Sequence, residues 1–283
     1  MVQFKRLVRF EDPAGNIQYG EVPEAHSWSD PLAGVSVRLY EGSLPWDSNF
    51  RLTEKTGKIA KILSPIASTP IIYGIGLNYR QHAEEAKFPI PPYPLVFVKG
   101  SGEAALAGPD EDIPVYKDAE YMDYEGELTV VFGKDAKNLS ESDSVYDYIL
   151  GYTVGNDVSS RFWQDPVRGG GQHGYAKAFD KFSPIGPVLC STTQIPDPSK
   201  LTLTTIVNGE QRQQTKTDDL IFDIPAITRH LTRGRTVTAG TVVMTGTPSG
   251  VAAFMKPPPW LKDGDVVEVQ ISEIGRIRNR IIH

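Results

Sequence analysis

The chain has 283 residues, 40% of them hydrophobic and 23% charged, enough for one large packed domain or a domain with a small appendage, which excludes an intrinsically disordered chain. A net charge of −6 with no basic cluster sets nucleic-acid binding aside, and no apolar run approaches the roughly 18 residues of a membrane span. The single cysteine, Cys190, excludes an internal disulfide and suits a reducing compartment; the start over 1–10 is broken by charge and lacks an apolar signal core. The expected setting is the cytoplasm, with the mitochondrion as the other compartment.

Residues 1 to about 65 read as short strands and turns: 4–10, a turn at 12–16, then 17–22 and 34–40. They predict a small β-rich N-terminal unit over 1–65, ahead of a main domain over 66–283. A buried strand follows at 71–76. Its Gly74-Ile75-Gly76 begins like a dinucleotide fingerprint, but the third glycine is missing and no βαβ unit follows. Residues 78–87 predict a helix with Asn78 as N-cap, ended by Pro89, Pro91, Pro92 and Pro94. His82 and Glu85 lie three apart on it, hence on one face. A histidine oriented by a carboxylate can deprotonate water near neutral pH, although an exposed polar pair has the same spacing.

Beyond the prolines, strands dominate at 95–99, 128–132, 150–154, 201–207, 241–245 and 265–271, with short helices near 141–148 and at 224–233. The class is α+β, predominantly β. Lys99 closes one strand. Lys177, between Tyr175 and Phe179, can neutralise an anion or snorkel to the surface. Gly246-Thr247-Pro248-Ser249-Gly250 is not a serine-hydrolase elbow. Neither an HExxH motif nor a cysteine cluster is present, which removes the usual zinc hydrolases.

The most informative residues are Glu125 and Glu127, in Asp123-Tyr124-Glu125-Gly126-Glu127-Leu128. On a strand, residues two apart point the same way, so both carboxylates face one pocket. Like charges so close repel unless a proton or cation lies between them. Asp157, after the strand-like run Tyr152-Thr153-Val154, supplies a third acid. Oxygen-only ligands favour magnesium, manganese or calcium over zinc. Solvated surface acids are the alternative for the pair alone.

Six segments in order resemble the fumarylacetoacetate hydrolase family: Gly76 to Glu85, Asp123 to Leu128, Gly151 to Arg161, Lys177 to Pro187, Ile221-Phe222-Asp223, and Thr245 to Val251. The resemblance covers roughly 70–283 and implies a β-sandwich or roll with flanking helices, a small N-terminal cap and a homodimer. It implies that Glu125, Glu127 and Asp157 hold Mg²⁺ or Mn²⁺, with Ca²⁺ as a further candidate. It implies that His82 and Glu85 activate a water, that Lys177 holds the substrate and its developing charge, and that Lys99, Arg161, Gln164 and Thr247 face the substrate.

The activity so implied is cleavage of a C–C bond in a 2-oxo or 1,3-dicarbonyl acid, by hydrolysis or decarboxylation, through a metal-bound enolate. The alternatives are an isomerase or tautomerase on a related keto–enol substrate, and a binding protein that kept the fold without turnover. The sequence departs from the family pattern at Phe162, where an acidic residue is usual, and in the glycine-rich loop 165–173 with its extra histidine, His173. A phenylalanine at 162 predicts a more apolar pocket and a larger substrate than oxaloacetate or a short acylpyruvate.

Overall fold

A computed structural model describes residues 4–282; the first three residues of the expected N-terminal unit, with the opening of the charged start, lie outside them. Strands make up 38% and helices 14% of the structure, so the fold is α+β and predominantly β. A 12-stranded sheet runs from an outer N-terminal end to the site. In spatial order its main path is Arg51–Lys58, Ser36–Glu41, Ile17–Glu21, Arg6–Glu11, Ser183–Cys190, Ile149–Asn156, Gly126–Phe132, Val242–Met244, Ile72–Gly76 and Leu95–Gly100. The N-terminal strands join the rest where Arg6 and Leu7 pair antiparallel with Cys190 and Leu189.

A five-stranded sheet, Glu210–Lys216, Thr202–Val207, Val266–Ile271, Gly275–Ile282 and Ile113–Pro114, packs on one face of the larger sheet. Alternation along Gly126–Phe132 shows how. Leu128, Val130 and Phe132 enter the core shared with Leu203, Val267, Val269 and Ile277. Val131 enters a second core on the opposite face, with Leu189, Val242 and Met244. A strand buried on both faces needs a near-continuous apolar run, which Leu128-Thr129-Val130-Val131-Phe132 supplies. Gly126 lets the two sheets meet, because a Cβ there would stand 2.2 Å from Thr205 Oγ1 and 3.0 Å from Val269 Cγ1.

The helical expectations need correction. The first helix is shorter than 78–87, spanning Arg80–Ala86, and Asn78 does not cap it; extended Tyr79 precedes it with no side-chain cap. Asn78 is instead a buried tie. Its Nδ2 donates to Phe222 O (3.0 Å) and Thr245 O (2.7 Å), and its Oδ1 accepts from Phe222 N at 2.8 Å. A side chain consumed by three backbone partners cannot also serve a helix end. The helix expected near 141–148 is only a 3₁₀ turn, Val145–Asp147. That expected at 224–233 spans Ile224–Thr232, with Asp223 accepting from Ala226 N. No helix among the described residues is long and apolar enough to cross a membrane.

Candidate metal centre and active-site cavity

Antiparallel pairing assembles the acidic centre. Gly126 stands opposite Asn156 and Glu127 opposite Gly155, so Asp157, one step on, lies beside Glu125. Asp157 N donates to Glu125 O at 2.8 Å, and Glu125 N donates to Asn156 Oδ1 at 2.9 Å. Ligand oxygens of Glu125, Glu127 and Asp157 fall within 4.8 Å of one another, and all three residues are buried. Their electrostatics are unequal. Burial opposes ionisation of Glu125, but the Lys177 and Arg161 charges outweigh it and hold its carboxyl well below the ordinary range. Burial, then the charges of Asp157 and Glu125, push Glu127 well above that range.

Lys177 Nζ donates to Glu125 Oε2 at 2.8 Å and to Asp157 Oδ2 at 2.6 Å. Burial works against its charge, yet Asp157 and Glu125 carry its pKa above the ordinary lysine value. Arg161 Nε donates to Asp123 Oδ2 at 2.8 Å, and its Nη2 pairs with Glu125 Oε1 at 2.7 Å. Glu127 has no cationic partner among the described residues and accepts from Gly246 N at 2.6 Å. A buried carboxylate beside two others, with only one backbone donor, is a site that a hard divalent cation completes. The donor set is all oxygen, so it fits such an ion and can hold one.

A cavity of about 650 Å³ opens beside this centre. Glu125, Lys177, Arg161, Gln164, His82 and Thr247 line it, and Phe88, Leu95, Phe97 and Phe254 form its apolar wall. His82 sits on the short helix with Nδ1 3.0 Å from Glu85 Oε2, and Glu85 Oε1 accepts from Gly250 N at 3.0 Å. The His82 ring meets Phe254 edge-on, with centroids 5.4 Å apart. Thr247 Oγ1 donates to Gly126 O at 3.0 Å and accepts from Gln213 Nε2 at 2.8 Å.

The structure places two of the expected residues outside the cavity lining. Lys99 is fully buried away from the cavity. Its ammonium spends its three N–H groups on Asp157 Oδ1, Val158 O and Phe182 O. It stands as a counter-charge behind Asp157, outside the cavity lining, and burial drives its pKa down despite Asp157. Phe162 also lies outside the cavity lining, packed on Trp163 and Tyr121 with Arg168 over its ring at 4.2 Å. The apolar wall therefore comes from other phenylalanines.

Two residues that the sequence did not single out complete the frame. Asp123, fully buried, accepts from Ala252 N (2.9 Å) and Ala253 N (3.1 Å) besides Arg161. Its signal was available, since it continues the i, i+2 alternation of Glu125 and Glu127. Gln213 accepts from Gly126 N at 3.0 Å and donates to Thr247 Oγ1 and Pro248 O. It sits in a polar run, Glu210-Gln211-Arg212-Gln213-Gln214, that carries no such signal.

The family model for the fumarylacetoacetate (FAA) hydrolase C-terminal domain matches residues 71–282, the span that holds every residue of this site. The chain belongs to the fumarylacetoacetate hydrolase family. A fumarylacetoacetate hydrolase domain-containing protein 2 homolog of Dictyostelium discoideum is 42% identical over 230 residues, 78% of this chain and 74% of that protein. The Bacillus subtilis protein named oxaloacetate tautomerase YisK is 39% identical over 213 residues, 73% of this chain and 68% of its own. Among solved structures, 2-hydroxyhepta-2,4-diene-1,7-dioate isomerase from Mycobacterium marinum superposes with a TM-score of 0.80 at 30% identity, covering 98% of both chains.

Proposed function

We propose that this enzyme interconverts the keto and enol forms of a small 2-oxo dicarboxylic acid of the oxaloacetate type, with a divalent cation at Glu125, Glu127 and Asp157. The observation that carries this reading is the His82–Glu85 contact, with the His82 ring on the wall of the cavity that Glu125 and Lys177 also line. The similarity to proteins named as a tautomerase and an isomerase supports it. The bound cation supplies Lewis acidity toward the 2-oxo acid.

The chain's own residues do the rest. Glu85 accepts the Nδ1 proton of His82, so in the neutral imidazole the lone pair is on Nε2, which can act as the base. Nε2 takes a proton from the carbon next to the carbonyl, and the His82 imidazolium so formed returns it to the carbonyl oxygen, so the base is regenerated and the net charge of the substrate is unchanged. Lys177 and Arg161 offset the negative charge that develops between those transfers. Gln164 and Thr247 border the same space as the phenylalanine wall.

The C–C cleavage expected from the sequence is the second reading. It is favoured by the same dyad, which can activate a water as readily as a carbon acid. The decisive experiment follows the enol absorbance of oxaloacetate in the ultraviolet with Mg²⁺ or Mn²⁺, with product analysis alongside. Metal-dependent acceleration of enol loss with the four-carbon acid intact supports tautomerisation; accumulation of a shorter acid supports cleavage. The homodimer belongs to this reading too, and light scattering checks it against twice the chain mass of 31.2 kDa.

A further inference from the structure

The cavity contains a second histidine, His173, in the glycine-rich loop after the Arg161–Gln164 helix. Its protonation pattern follows from its neighbours. Arg161 can only donate, and its Nη1 reaches Gln164 Oε1 at 2.6 Å, so the Gln164 carbonyl oxygen is fixed on that side. The other end of the amide can then only donate, and it lies 3.3 Å from His173 Nδ1. Nδ1 must accept, so the ring proton of a neutral His173 is on Nε2. Burial, then the charge of Lys177, lower the pKa of His173 and keep it neutral. Nε2–H has no hydrogen-bond partner among the described residues. The ring is tilted against Phe97 with centroids 5.7 Å apart, which holds its plane.

The cavity thus holds two histidines as opposite tautomers. In the neutral ring His82 has its lone pair at Nε2, suited to taking a proton, and His173 has its N–H there, suited to donating a hydrogen bond. A donor beside Arg161 and Gln164 recognises an oxygen anion, and it is not needed for moving a proton at the carbon next to the carbonyl.

We propose that His173 is a specificity-determining residue, which with Gln164 binds the second carboxylate of a 2-oxo dicarboxylic acid and so selects diacids over 2-oxo monoacids. This deepens the functional reading above by assigning the group that recognises the diacid, and it rests on that reading for the site it concerns. A donor lost opposite a carboxylate costs about tenfold to a hundredfold in affinity.

The test compares oxaloacetate with 2-oxobutanoate, which carries a methyl group where oxaloacetate has its second carboxylate. Each is titrated into the Mg²⁺-loaded full-length protein, and binding is read from the rise in melting temperature. Wild-type protein is expected to prefer the diacid by at least tenfold. His173→Phe, which keeps a ring but no donor, should reduce that preference to about twofold or less while leaving 2-oxobutanoate binding within about twofold. His173→Asn, whose side-chain oxygen can still accept from Gln164, should retain only part of the preference. Equal losses for both acids in both variants would mark His173 as merely structural, and an unchanged preference in His173→Phe would overturn the proposal; so would the absence of any preference in wild-type protein. Because the readout is binding, an enzyme without tautomerase turnover but with this preference would refute the functional reading and leave the role of His173 standing.

Discussion

The strands Gly126–Phe132 and Arg51–Lys58 belong to one sheet, yet they solve different problems. Every residue of the first is buried, while no residue of the second is, and it carries the exposed Glu54, Lys55 and Lys58 at the open edge. Charge at an edge is solvated and deters pairing with other chains. Charge at the start of the central strand is buried: Lys177 and Arg161 offset Glu125, and Glu127 stands with Glu125 and Asp157 in a cluster that can hold a metal ion. The same residue type is a surface device at the edge of the sheet and part of a buried acidic cluster in its interior. The difference lies in how much water the backbone around it admits.

The strongest way to break this contrast is to neutralise an acid in each region. Glu127→Gln should lower turnover at least a thousandfold, about 4 kcal/mol in the barrier, and abolish the rise in melting temperature with Mg²⁺. Glu54→Gln should leave both readouts unchanged; an active Glu127→Gln protein would sink the metal centre. Next, His82→Ala should lower turnover about a hundredfold to a thousandfold with metal-dependent stabilisation intact, because the base is lost and the ligands are not. Steady-state assays together with thermal shift separate these two variants.

Packing gives the third contrast. Leu128→Ala, in the core between the sheets, should cost about 2–5 kcal/mol in urea denaturation. Leu52→Ala, only half-buried on the outer strand, should cost clearly less; equal costs would mean that the edge and the interior of the sheet are equally packed. The smallest effect is electrostatic. In the metal-free protein, burial and two like charges keep a proton on Glu127 to higher pH than on an ordinary glutamate. A cation competes with that proton, so binding releases it, and affinity falls as pH is lowered through the raised pKa. Calorimetric titration of Mg²⁺ in buffers of different ionisation enthalpy should detect the released proton, and a buffer-independent heat would contradict the raised pKa.

Much of this was legible wherever periodicity carries the information. The pairing of Glu125 with Glu127 follows from the two-residue repeat of a strand, and the helix over Ile224–Thr232 follows from Asp223, Pro225 and an apolar stripe. The strand Ser183–Cys190 was harder to see, because Pro184 and Pro187 remove two backbone donors from a run that is nonetheless wholly buried. Lys99 and Phe162 show a different limit. Position in a motif places a residue near a site, but whether its side chain turns into the cavity depends on partners hundreds of atoms away along the chain. For Lys99 those partners are Asp157, Val158 and Phe182. Gln213 was invisible because its work is done entirely through hydrogen bonds to other segments.

Asp123 carries one more consequence. It grips the Arg161 side of the cavity with one oxygen and the backbone at Ala252 and Ala253, next to Phe254, with both. Arg161 and Phe254 line the same cavity. Two walls of the cavity therefore share one buried carboxylate, and Asp123→Ala should loosen both at once rather than either alone.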